Sequence, residues 1–281
     1  MKPKLALAIA FLLAPALTSG QTRPTNTSQS VAPIPTLHIA PPPRPEPEKT
    51  LEFPIGEGVG RGDVLVIPVK IGGKEHLFEV DTGCDITVID STLAQSLKDL
   101  LGSPVSKRTF ASAAGGNVEL PLYRFPILEA AGQRLKTSGP RLATVDMELM
   151  REANGRPVEG ILGRDVLSQY VVRLNFRQHV LEFIDPQNFQ SPKDNATTVF
   201  EMIDSGSGPG IWIPFAGLPN VLVAIDSGDN GLAAITSETL QRIPPAEVFE
   251  MTSSKVADVS GNVESKVAYI KRKWFIANTR L

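Results

Sequence analysis

From Leu51 onward, short apolar runs alternate with glycine, proline and polar clusters at spacings that suit strands better than helices. Asp63-Val-Leu-Val-Ile-Pro-Val-Lys-Ile71 predicts a strand, Gly72-Gly73 a turn, and His76-Leu-Phe-Glu-Val80 a second strand, so the three together predict a β-hairpin. The second strand runs into Asp81-Thr-Gly-Cys-Asp-Ile-Thr-Val-Ile89. Ser91 is then placed to cap a short helix through Leu93, Ala94 and Leu97. Further strands are predicted at Glu119 to Leu128, at Val171 to Phe176 and, after an Arg177-Gln178 turn, at Val180 to Ile184. Many short strands with few helices predict an all-β fold.

The N-terminal 50 residues have a different texture. Lys2 and Lys4, the apolar run Leu5 to Leu17 and the small residues Thr18-Ser19-Gly20 have the form of a secretory signal peptide over residues 1–20. Residues 21–50 are polar and crowded with proline, as in Pro41-Pro-Pro-Arg-Pro-Glu-Pro47, and predict a disordered spacer. No later segment reaches the roughly 18 consecutive apolar residues of a membrane span. The expectation is therefore an exported protein, periplasmic or extracellular, with no stable membrane span once the signal is cleaved; a retained signal anchor is the alternative.

Charge and composition narrow the function. There are 28 Lys+Arg against 30 Asp+Glu, a net charge of -2, which argues against nucleic acid as a partner because neutralising phosphates needs a basic excess. The single cysteine, Cys84, excludes an intramolecular disulfide and a cysteine-ligated zinc site, and His38, His76 and His179 are scattered. No metal or cofactor is expected.

An internal repeat is more informative. Val66-Ile-Pro-Val69 precedes Phe78-Glu-Val-Asp-Thr-Gly83, much as Trp212-Ile-Pro-Phe215 precedes Val223-Ala-Ile-Asp-Ser-Gly228. Gly116-Asn-Val-Glu119 matches Gly261-Asn-Val-Glu264, and 35 positions separate Asp81 from Gly116 and Asp226 from Gly261. Matched blocks in one order predict two lobes, each presenting one aspartate: residues 51–190, a linker over 191–210, and residues 211–281.

Apolar residues before Asp-Thr-Gly or Asp-Ser-Gly, followed by Gly160-Ile-Leu-Gly-Arg-Asp-Val-Leu167, resemble the retropepsin and pepsin-like aspartic peptidases, most closely bacterial retropepsin-like proteins with tandem lobes. The resemblance implies the all-β acid-protease fold and hydrolysis of polypeptides as an endopeptidase. It implies a catalytic pair, Asp81 and Asp226, sharing one proton because carboxylates about 3 Å apart cannot both ionise. Thr82, Gly83, Ser227 and Gly228 would form the active-site loops, with the Thr82 or Ser227 hydroxyl reaching across to the other lobe. Ile161, Leu162 and Gly163 would support the first loop, and Gly115, Gly116 and Asn117 would lie in a flap.

Asp-Ser-Gly triplets are commonly turns, and Asp204-Ser-Gly206, followed by Ser-Gly-Pro-Gly, is assigned to the linker. Cys84 reads as a buried filler. Asp229 adds a third carboxylate next to the pair, which would raise its proton affinity or disturb it. The interval from Asp81 to Gly160, repeated from Asp226, would reach position 305, so the second lobe is expected to be incomplete within the 281 residues. Two alternatives follow: the same chemistry in a homodimer of first lobes, with two copies of Asp81, or a non-catalytic envelope module that binds or scaffolds.

Overall fold

A computed structural model describes residues 49–59, 63–111, 117–191, 201–205, 208–215, 218–229, 237–258, 261–270, 275–276 and 279–280. The signal segment, nearly all of the spacer, and Gly115 and Gly116 lie outside the described residues.

Strand β1 (Leu51–Pro54) is followed by β2 (Val66–Ile71) and β3 (Lys74–Val80), joined through Gly72 and Gly73, both at positive φ. A two-residue turn with φ > 0 at both positions matches the right-handed twist of its strands, and Ile71 pairs directly with Lys74 across it. The first predicted strand begins at Val66 instead of Asp63. From Ile67 to Ile71 the strand alternates strictly, burying Ile67, Val69 and Ile71 and turning Pro68 and Lys70 outward.

After β4 (Val88–Asp90), the helix α1 (Ser91–Ser96) starts one residue earlier in its capping than the sequence suggested. Asp90, not Ser91, is the cap, with its Oδ1 accepting from the N–H of Thr92 at 2.8 Å and of Leu93 at 3.3 Å. Asp90 wins because its Oδ2 also anchors the Met147 N–H and Arg151, contacts too remote in sequence to be read locally. A turn of helix, α2 (Lys98–Leu101), then leads to β5 (Ser106–Ala111) and β6 (Asn117–Arg124). The single strand predicted from Glu119 to Leu128 is two: β6 ends before Phe125-Pro126, and β7 (Leu128–Ala130) pairs elsewhere, with β2 and β8 (Gln133–Arg134).

The chain continues through β9 (Arg141–Val145), α3 (Glu148–Asn154), β10 (Val158–Leu162), α4 (Arg164–Leu167), and the hairpin β11 (Val171–Asn175) and β12 (Val180–Ile184). Among the described residues, β2 to β10 form one nine-stranded sheet in the order β5-β6-β9-β4-β10-β3-β2-β7-β8. Strand β10 enters between β3, parallel to it, and β4, antiparallel. One face of the sheet packs with β1, β11 and β12 around Ile67, Phe78, Val80 and Leu162, where Phe183 lies 5.3 Å from Phe53 and 5.4 Å from Tyr170, ring to ring. The other face gathers Cys84, Val88, Phe110, Leu120, Ala143 and Ile161. Burying each large apolar side chain contributes about 1.5–3 kcal/mol, so both faces matter to stability.

Further on, β13 (Ile203–Asp204), β14 (Pro209–Phe215) and β15 (Leu218–Ala224) form a three-stranded sheet, followed by α5 (Ser237–Arg242) and the long hairpin β16 (Val248–Asp258) and β17 (Gly261–Ile270). The β14–β15 hairpin leads into Asp226 as β2–β3 leads into Asp81. Asp204, placed by its sequence in a structureless linker, lies in the short edge strand β13, paired with Pro209. No helix among the described residues is long and apolar enough to cross a membrane.

Candidate active site

Strand β3 ends at Val80, where it is clamped on both sides: the Val80 N–H donates to Leu65 O at 2.8 Å and the Asp81 N–H to Leu162 O at 3.1 Å. The chain then turns, and the turn folds back onto the Asp81 carboxylate. Asp81 Oδ1 accepts from the N–H of Gly83 at 2.7 Å and of Cys84 at 3.1 Å. Asp226 repeats the device, its Oδ1 accepting from the Gly228 N–H at 2.9 Å.

Four hydrogen bonds tie the two loops together. The Thr82 N–H donates to Ser227 Oγ and the Ser227 N–H to Thr82 Oγ1, each at 3.0 Å. The Thr82 hydroxyl donates to Ile225 O at 2.6 Å, and the Ser227 hydroxyl to Val80 O at 2.7 Å. Each hydroxyl therefore accepts from one backbone and donates to another, which fixes both loops at once. The result is that each glycine lies against the opposite carboxyl. A Cβ on Gly83 would fall 2.5 Å from Asp226 Oδ2, and one on Gly228 would fall 2.5 Å from Asp81 Cγ. Only glycine fits at either position.

Asp81 is fully buried, and burial first, then the Asp226 carboxylate, push it well above the usual carboxylate range. Burial also raises Asp226, but a hydrogen bond from Asp81 and backbone N–H groups of Gly228, Asp229 and Gly83 favour its charged form. Both carboxyls are thus raised and titrate as one coupled pair, with Asp81 the more deeply buried of the two. Asp229, whose sequence position suggested a third carboxylate beside the pair, also supplies a backbone N–H to Asp226.

The supporting strand meets the loop from beneath. Ile161 pairs with Val88 and Glu79, Leu162 with Val80, and a Cβ on Gly163 would fall 2.5 Å from the Ile86 carbonyl carbon. Backbone crosses backbone there, so nothing can swing aside. Gly163→Ala is expected to cost about 3 kcal/mol, measured as a lowered urea midpoint with unchanged slope.

Several residues that hold this crossing were not singled out by the sequence. Asp165 Oδ1 accepts from both the N–H and the hydroxyl of Thr87 at 2.8 Å, and the Gly163 N–H donates to Thr87 Oγ1 at 3.3 Å. Arg164 forms an ion pair with Asp85 and a longer one, at 3.8 Å, with Asp204. Their signal was position, immediately after Gly163 in the motif. Cys84 is buried, and burial pushes its thiol up, which leaves it an unreactive filler. Of the flap residues, Asn117 opens β6 and pairs with Ala111, while Gly115 and Gly116 fall outside the described residues.

Residues 67–166 match the family model of the aspartyl proteases. The match supports an aspartic-peptidase assignment for this part of the chain. The matched segment runs from β2 through α4 and includes Asp81, Thr82, Gly83 and the Ile161-Leu162-Gly163 support, whereas Asp226 lies beyond it. A search of curated proteins finds no match. The match supports a domain of peptidase type.

Proposed function

We propose that the chain is an aspartic endopeptidase in which Asp81 and Asp226 act as one acid–base pair on a water molecule and the scissile carbonyl of a polypeptide. The observation that supports this reading is the reciprocal Thr82–Ser227 tie, which sets the buried Asp81 carboxyl against the Asp226 carboxyl. Asp226, its charge supported by backbone N–H groups, takes the proton of the attacking water. Asp81 gives its proton to the carbonyl oxygen as the tetrahedral species forms. Two carboxyls whose surroundings push their proton affinities apart are what one cycle of acid and base catalysis requires.

The proposal extends to export, on the strength of the signal-like segment Met1 to Gly20. Purified full-length protein is expected to cut denatured casein at internal bonds at mildly acidic pH, with a statine-type inhibitor blocking the cleavage. Intact casein across the acidic to neutral range would overturn the reading.

A further inference from the structure

Strand β3 carries a second buried carboxyl. Glu79 is fully buried, and among the described residues neither of its side-chain oxygens has a hydrogen-bond partner. Its neighbours in the sheet are apolar, Val66 on β2 and Ile161 on β10. Side chains two apart on a strand share a face, so Glu79 projects on the side of Asp81, while Phe78 and Val80 point into the opposite core.

We propose that Glu79 is a positioning residue for the peptidase reaction, a third carboxyl behind the Asp81–Asp226 pair whose charge state governs how firmly Asp81 holds its proton. The inference rests on the peptidase reading above. A carboxylate cannot stay charged in an apolar site without donors, so Glu79 keeps its own proton. Burial first, and the Asp226 carboxylate second, push it up to about 8.

The charged groups on the surrounding strands leave it to that partner. Glu159 on β10 is engaged by His76 at 2.9 Å, and Lys70 on β2 and Lys74 and Glu75 on β3 are solvent-exposed. Among the described residues the groups that couple to it are the two site carboxyls: the Asp226 charge acts on Glu79, and the Glu79 charge on Asp81.

The consequence differs at the two ends of the pH range. On the acid side Glu79 is neutral and leaves the ionisation of Asp226 alone. On the alkaline side its proton passes to solvent, and the new charge pushes Asp81 up further, so that the catalytic proton survives to higher pH.

The test is the pH dependence of fluorescent-casein hydrolysis by the full chain and by Glu79→Gln. The alkaline limb is expected to move down by about one pH unit, roughly a tenfold loss on that limb, with the acid limb unmoved. Glu79→Leu should shift the same limb, and serves if the buried amide of the glutamine variant impairs folding. A uniform fall in rate with both limbs in place would make Glu79 mere packing and overturn the inference.

A separate measurement needs neither a variant nor activity. Carbon-13 NMR of the glutamate side-chain carboxyls in the wild-type chain should show one titrating well above the rest. All glutamates titrating together in the ordinary range would overturn the inference even if casein is cleaved. If casein is not cleaved at all, the peptidase reading falls and the catalytic role given to Glu79 falls with it.

Discussion

Asp81→Asn is expected to abolish casein hydrolysis, a loss of at least about a thousandfold in kcat/KM, while the protein still unfolds cooperatively. The asparagine Oδ1 can still accept from the N–H groups of Gly83 and Cys84, so the turn keeps its shape. What disappears is the proton that Asp81 holds in a fully buried site and gives to the carbonyl. Asp226→Asn is expected to lose as much, because on the proposed mechanism its carboxylate is the base for water. The pair of variants also separates two architectures. Activity surviving in Asp226→Asn but not in Asp81→Asn would mean that two first lobes had come together and each supplied an Asp81. Activity surviving in both would remove the carboxyl pair from the chemistry altogether.

Much of the first lobe could be read from local pattern. The Gly72-Gly73 turn, the strict alternation through Ile67, Val69 and Ile71, and the β11–β12 hairpin depend on neighbours within a few residues, and those signals survive folding unaltered. The aspartates were legible because the chain presents the same block twice. Where the reading slipped, a distant partner decided. Ser91 is a competent cap in isolation, but Asp90 displaces it through Met147 and Arg151, some 60 residues away. The run from Glu119 to Leu128 reads as one strand until Phe125 and Pro126 break it and its halves find different partners.

Glu79 shows the limit most clearly. In Phe78-Glu79-Val80, alternation alone would turn a glutamate to solvent. That inference assumes one face of the strand meets water. The second core, which gathers Val88, Phe110, Leu120 and Ile161 on that side of the sheet, leaves no such face. The usable signal was parity: a residue two before a buried aspartate on the same strand shares its side of the sheet.

The buried carboxyl also sets how stability responds to pH. Glu79 has an ordinary value of 4.5 and a folded one of about 8, so between those limits the folded chain binds more protons than the unfolded one. Stability must then fall as pH rises through that window, by up to about 5 kcal/mol from this one group. Asp81 and Asp226, also raised, act in the same direction. Opposing them at the acid end are carboxylates held down by partners: Glu182 by Arg173, Asp185 by Lys136, and Asp90, where Arg151 and backbone N–H groups outweigh burial. Their contribution is lost as pH falls through their lowered values. Maximal stability is therefore expected in mildly acidic solution, unlike a protein whose carboxylates are all paired.

Glu79→Leu isolates the first effect, since leucine suits the apolar neighbours Val66 and Ile161 and has nothing to ionise. Urea unfolding across pH should show the variant gaining on the wild type steadily from about pH 5 to pH 8 and holding a constant lead above it. A difference between the two that does not change with pH would mean that Glu79 finds a cation or water on folding. In that case neither the slope nor the alkaline limb assigned to it would stand.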